Sequence, residues 1–383
     1  MCEPSESTQV KQWLFTPDNL DICRARANRL ARKALAKAES SSLSEGATGK
    51  QNDEIVVKTE SFAQYFNQKK SDYLNEDDGP WQNDKGSPFL NPTEEALMVS
   101  FYASKLPSLI GPYAQVPRLR RESKVTATAS LFLRRFFLSN SVMIHDPKVI
   151  MVAAAFLASK VEDATTDVRY LEEGTNLMNA PVTQAEIIPS EIHLLSGINF
   201  DLLCFHPYKA VLSITEDLRT YLKSEKGKSL VRFLNNSDRQ IVGQDLKPMH
   251  DAAQQIVNDV IVSDIPLLYT PGQVGLAALM VANEQQQNKE DVPHIDFLGY
   301  LSQRFEDADH EEMRNLLRDL CSMLRELKDG KYGCANHNVD LETLKGVNKK
   351  LKKVRVWGSK EKSKKKRKKD DSDGPESKRS KES

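Results

Sequence analysis

All ten residues from Val149 to Ala158 are apolar, in the run VIMVAAAFLAS that follows Pro147 and ends against Lys160. A helix made of this stretch is hydrophobic on nearly every face, so it is stable only where other elements surround it. It is also too short to cross a bilayer, which takes about 20 apolar residues. A second such run, VGLAALMVA, occupies residues 274–282. Two enclosed helices in one chain call for two shells of amphipathic helices, and hence for a duplicated core.

The surrounding sequence supplies those shells. Its pattern is helical nearly throughout, without the long β-branched alternation or the Asn-Gly and Asp-Gly turns of hairpins. Thr16-Pro17-Asp18 reads as a helix start, with threonine as cap and proline at the first position, and the helix extends to about Ala38. Further helices are expected at 92–110, 117–138, 147–161, 167–178 and 187–198. After the break at His206-Pro207-Tyr208, a second set is expected at 207–223, 249–263, 271–286, 294–305 and 310–327. A last helix follows at 338–353, and the segment 224–248 reads as an insert with a short helix at 229–234. The fold class is therefore all-α, with two tandem five-helix repeats flanked by N- and C-terminal helices. The divisions are 1–39 (N-terminal helical extension), 40–87 (polar loop, partly disordered), 88–204 and 205–330 (the two repeats), and 331–383 (C-terminal helix and basic disordered tail).

Charge is unevenly spread. Basic and acidic residues balance over the whole chain, yet residues 341–383 hold 17 Lys and Arg against 7 Asp and Glu, leaving the remainder acidic. An acidic body does not suit a broad nucleic-acid-binding face. Within the tail, KSKKKRKK places Lys364, Lys365, Lys366, Arg367, Lys368 and Lys369 in a run with the composition of a nuclear-localisation signal. The five cysteines include no CxxC pair, which argues for a reducing compartment and against a zinc cluster. Neither a Gly-rich phosphate loop, HExxH, GxSxG nor a kinase signature set is present. We expect no catalytic residues, no metal and no cofactor.

Two charged residues stand out. Lys160 closes the apolar run, where a cation at a helix C-terminus gains only about 0.3–1 kcal/mol from the dipole. Glu191 falls on the stripe formed by Ile187, Leu194 and Ile198, where a carboxylate is costly unless paired. Two opposite charges in unusual places, 31 residues apart, suggest one functional pair.

FLASKVED (156–163) closely resembles the signature of the cyclin box, in which the third helix ends in a lysine followed by an acidic pair. The spacing from that lysine to a glutamate in the fifth helix, followed by GINFDL (197–202), also fits the cyclin family. Within it, QWLFTPDNL…RARANR (12–29), PFLNPTEE (88–95), INFDLLCFHPY (198–208) and LLYTPGQVGLAAL (267–279) resemble the cyclins of the CDK-activating kinase. The resemblance covers about 12–38 and 88–330. Departures are the polar segment 40–87, the insert 224–248, and Pro189, which would start the fifth helix late or kink it.

The resemblance implies a regulatory subunit whose Lys160 and Glu191 are polar anchors on a kinase, with Leu157, Val161, Leu195 and Phe200 as the apolar part. It implies that Trp13 and Phe15 anchor the N-terminal helix on the first repeat. Implied partners are a cyclin-dependent kinase, a RING-finger assembly subunit of the CDK-activating kinase, and the TFIIH core, in the nucleus. Neither specific nucleic-acid binding nor membrane attachment is expected. Another transcriptional cyclin of the C, K, L or T type is the nearest rival reading. A TFIIB-like nucleic-acid-binding factor is a more distant one, since the chain lacks basic repeats and a zinc ribbon.

Overall fold

The computed structural model describes residues 7–44, 87–233, 240–286, 292–305, 310–327 and 341–357. The expected loop at 40–87 thus falls almost wholly outside the described residues, as does the lysine run 364–369.

Helices α1 (Thr8–Trp13) and α2 (Pro17–Ser44) form the N-terminal extension. The first repeat comprises α3 (Pro92–Ala103) with the short α4 (Leu106–Leu109), then α5 (Ser123–Ser139), α6 (Pro147–Val161), α7 (Val168–Leu177) and α8 (Gln184–Gly197). The second comprises α9 (Pro207–Tyr221), the short α10 (Glu225–Lys228), α11 (Lys247–Val260), α12 (Pro271–Gln285), α13 (Phe297–Arg304) and α14 (His310–Glu326). Helix α15 (Leu341–Val354) closes the described chain.

Local chemistry sets the helix starts. Asp146 caps α6 by accepting from the Lys148 amide at 2.9 Å, and Pro147 takes the first position. Asn91 and Glu94 form a capping box at α3, and Thr270 and Gln273 form another at α12. Helices α6 and α12 are enclosed as their composition requires: Val152, Ala153, Ala154 and Ala155 are buried in one core, Val274, Ala277, Ala278 and Leu279 in the other. Helix α12 lies so close to α9 that a Cβ at Gly275 would meet the Ala210 methyl at 2.7 Å.

Several expectations need correction. The helix expected at 92–110 is interrupted between Ala103 and Leu106, ahead of Pro107. Residues 117–122 form a 3-10 turn and a connection, so α5 starts only at Ser123. The insert has its short helix at Glu225–Lys228 rather than 229–234, because Ser224 caps it through the Gly227 amide. Val231–Arg232 is instead a strand, paired antiparallel with His294–Ile295 in the register Val231↔Ile295. Pro189 does not delay α8, which begins earlier, at Gln184, where Glu186 accepts from the Thr183 amide at 2.9 Å. Pro189 lies inside α8, as its sixth residue, and removes the one intrahelical hydrogen bond its position would make to the Ala185 carbonyl, without ending the helix.

The terminal segments bind the body by different routes. Trp13 and Phe15 are buried with Leu131 and Leu138 of α5 and Leu267 of the second repeat. The extension therefore sits in the seam between the repeats and not on the first alone. The Phe15 amide donates to the Leu267 carbonyl at 2.8 Å, and the Trp13 indole donates to Asp201 at 3.0 Å. Asp264, after α11, accepts from Arg24 of α2 at 2.7 Å and from Arg134 of α5, so one buried carboxylate ties extension, first repeat and second repeat together. At the other end, Val347 and Leu351 of α15 enter the first repeat's core, and the Trp357 indole donates to the Val142 carbonyl at 2.9 Å.

A second buried carboxylate, Glu95 of α3, accepts from Asn28 of α2 at 2.6 Å, from the Ser141 hydroxyl at 2.9 Å and from the Val142 amide at 2.9 Å. Burial pushes its pKa from 4.5 to about 7 against the opposing effect of those donors. The folded state consequently holds a proton that the unfolded chain has released, so stability falls as pH rises between those two values and levels off above. We expect a loss of about 3 kcal/mol across that window, read as unfolding free energy by urea titration at a series of pH values. Glu95→Gln should flatten the dependence; an unchanged slope in that variant would assign it to other groups.

Candidate functional site

Helices α6 and α8 lie side by side in the first repeat, and their facing ends carry the site. Ile187 and Leu194 of α8 and Ile198 at its C-terminal cap are fully buried. Ile188 and Ile192 are exposed, and Leu195 is half-buried beside them. At 100° per residue, Glu191 falls on the border between the buried and the exposed apolar stripes. That position explains why its side chain is 15% exposed rather than buried or free.

Lys160, in the last turn of α6, reaches this carboxylate from the neighbouring helix. Its Nζ lies 2.7 Å from Oε1 and 2.9 Å from Oε2 of Glu191. The ammonium also sits 3.9 Å from the centroid of the Phe156 ring, one turn earlier on α6. The sequence-predicted pair is therefore a contact, held on both sides. Its lysine remains 40% exposed, so donor capacity still faces solvent. An ion pair this exposed adds only about 0–1 kcal/mol to folding.

The apolar residues expected around the pair divide. Val161 and Leu195 are half-buried beside the first core, and Phe200 is 66% exposed. Leu157, in contrast, is buried in that core and offers little area to a partner. Phe200 is presented by an unusual backbone: Asn199 and Phe200 both adopt left-handed conformations, with φ of 53° and 58°. Such residues cost about 1–3 kcal/mol each where they persist. Here the Phe200 amide donates to the Leu195 carbonyl at 3.0 Å, which closes the helix and turns the ring outward.

Ile188 and Ile192 were not singled out from the sequence. Their spacing to Leu195, at i, i+4 and i+7, is a second apolar stripe that the sequence displays once the buried stripe is assigned. The acidic pair after Lys160 also behaves differently from a simple surface pair. Glu162 turns inward, accepting from Thr128 at 2.6 Å with the His206 ring 3.6 Å away. Burial pushes its pKa up, but His206, Thr128 and Lys124 together hold it below the ordinary value. Asp163 takes a left-handed conformation at the chain reversal.

Among the described residues, no cluster of three or more His, Cys, Asp or Glu is placed to hold a metal. Trp13 and Phe15 lie in the seam as described, with the Trp13 indole bonded to Asp201, the residue after Phe200.

Comparison with known proteins follows the same division into repeats. The model of the cyclin N-terminal domain matches residues 115–203, and that of the cyclin C-terminal domain matches residues 206–329. Cyclin-H1-1 of Arabidopsis thaliana is 27% identical over 352 residues, spanning 92% of this chain and 88% of that protein. A chain in the CAK complex of Chaetomium thermophilum, solved with ATP-gamma-S, shares the fold with a TM-score of 0.63 at 20% identity, covering 98% of this chain and 97% of that one. A chain of the yeast TFIIK (Kin28/Ccl1/Tfb3) complex does so with a TM-score of 0.52 at 22% identity, covering 84% and 99% respectively. Matched in order by both cyclin domain models over more than half of its length, the chain belongs to the cyclin family.

Proposed function

We propose that this protein is the regulatory subunit of a cyclin-dependent kinase and that the surface around Lys160 and Glu191 receives the kinase. The single observation that carries the reading is the pair itself: an ammonium fixed by a carboxylate and an aromatic ring, half-exposed, beside Ile188, Ile192, Leu195, Val161 and Phe200. A fixed polar centre with an apolar margin is the composition of an interface hot spot. Fixing the lysine beforehand lowers the ordering cost on binding.

Catalysis belongs to the partner. A subunit that binds only the active arrangement of a kinase shifts its population toward that arrangement by the difference in affinity. In protein kinases, the element to be held is the helix whose glutamate pairs with the ATP-site lysine. Similarity to cyclin-H1-1 and to chains of the CAK and TFIIK complexes supports a kinase of the CDK-activating type with a third, assembly subunit; a RING-finger type for that subunit extends the same reading. Association with the TFIIH core, action on CDK activation loops and the RNA polymerase II C-terminal repeats, and residence in the nucleus extend the same reading. Residues 364–369 supply the nuclear-import candidate.

Affinity purification of the full chain from native extract tests the proposal. Recovery of a cyclin-dependent kinase with a RING-finger subunit is the expected result. Recovery of transcription factors without any kinase would favour a scaffold or TFIIB-like role instead.

A further inference from the structure

Helix α15 is amphipathic in an uneven way. Leu344, Val347, Leu351 and Val354 face the first repeat, whereas Lys345, Lys349 and Lys352 are exposed at i, i+4 and i+7, in one strip along the opposite face. Lys350, on the flank, reaches Glu94 at the start of α3 at 2.8 Å. One residue further on, Glu95 accepts from Asn28 of α2 at 2.6 Å. Helices α2 and α15, far apart in sequence, therefore cross the same first turn of α3. The outer face of α2 is also basic there, with Lys33 and Lys37 exposed. In the sequence, Trp357 is followed within three residues by KEKSKKKRKK. The rest of the chain is net acidic, which makes this face a local exception.

We infer that α15 forms a sequence-independent binding face for the phosphate backbone of duplex nucleic acid. Regularly spaced lysines on a fixed helix supply point charges for phosphates, and they carry no base-reading geometry. No apolar group breaks the strip between Lys345 and Lys352 on its exposed side, as a docking site for a folded acidic partner would require. The face does not compete with the kinase surface. Trp357 and Val356 bond to Val142 and Met143, just before the start of α6, while Lys160 lies at its other end. At 1.5 Å per residue those ends are about 20 Å apart.

Fluorescence anisotropy with short labelled DNA duplexes of two unrelated sequences, at salt concentrations from roughly 50 to 200 mM, tests the inference. The full chain should bind both sequences equally, with affinity falling steeply as salt rises. Replacing Lys345, Lys349 and Lys352 together by Gln should weaken binding at least several-fold and reduce the log–log salt slope by about 0.9 per lysine. Kinase recovery and thermal unfolding of the variant should stay unchanged, since these side chains face solvent. Absence of duplex binding would overturn the inference. So would an unchanged slope in the triple variant, which would assign the charge effect to residues 364–369 alone. Tighter binding of polyglutamate than of the duplex at equal charge and salt would also overturn it, by favouring an acidic protein as the partner.

Discussion

Replacing Asp264 by alanine is expected to destabilise the protein by about 3–5 kcal/mol, the cost of leaving a buried ion pair without its partner. Asp264 is 6% exposed and accepts from two guanidinium groups, of which Arg134 is 2% exposed. Burial pushes the Asp264 pKa up, but Arg134 and Arg24 outweigh it and hold the carboxyl below its ordinary value. Its stabilising effect is therefore present at neutral pH and is lost only as pH falls below the usual aspartate range. Removing the carboxylate places two positive charges together with no acid between them. Because Arg24 comes from the extension, Arg134 from the first repeat and Asp264 from the second, the loss should reach all three. Asp264→Asn keeps an acceptor without the charge and should fall between wild type and alanine. Thermal and urea unfolding measure both variants; a change under 1 kcal/mol for alanine would show that the triad is dispensable to the fold.

The second large effect concerns binding rather than stability. Lys160→Ala and Glu191→Ala should each leave the unfolding free energy within about 1 kcal/mol of wild type, because the pair is half-exposed. Each should weaken kinase binding by about 2 kcal/mol or more, roughly thirty-fold, the range of central polar hot spots. Alanine at 160 deprives a partner of the ammonium and also frees the Glu191 carboxylate, which lies 2.7 Å from the Lys160 ammonium in the wild type, to repel acidic groups. Alanine at 191 leaves Lys160 over the Phe156 ring but no longer oriented by two oxygens. The two losses should be less than additive, since each residue acts through the other.

The features of the molecule legible in the sequence are those with short-range causes. The enclosed helix α6 follows from an unbroken apolar run, and its start at Pro147 follows from an aspartate cap and a proline. Lys160 and Glu191 were visible because each charge sits against an apolar pattern. What stayed hidden depended on distant neighbours. Nothing near Trp13 shows that it inserts between two repeats, and nothing in α15 shows that it docks on α3. The two-residue strands form only because residues 231–232 and 294–295 meet. Leu157 was implied as an interface residue by the resemblance alone, yet it is buried in the first repeat's core. Phe200 was legible as an aromatic, but not the left-handed backbone that carries it outward. The early start of α8 shows the limit of reading Pro189 alone, since the capping pair Thr183 and Glu186 outweighs it.

A charge swap separates a structural ion pair from an interface. Lys160→Glu combined with Glu191→Lys preserves the attraction between the two positions but reverses its direction at the surface. Titration of the purified kinase against this double variant, beside wild type and each single alanine variant, is the most direct test. Normal unfolding and kinase binding at least thirty-fold weaker are expected, as for a lost hot spot of about 2 kcal/mol. Kinase binding equal to wild type in the swapped protein would contradict this, and would leave Lys160 and Glu191 as no more than a clasp between two helices.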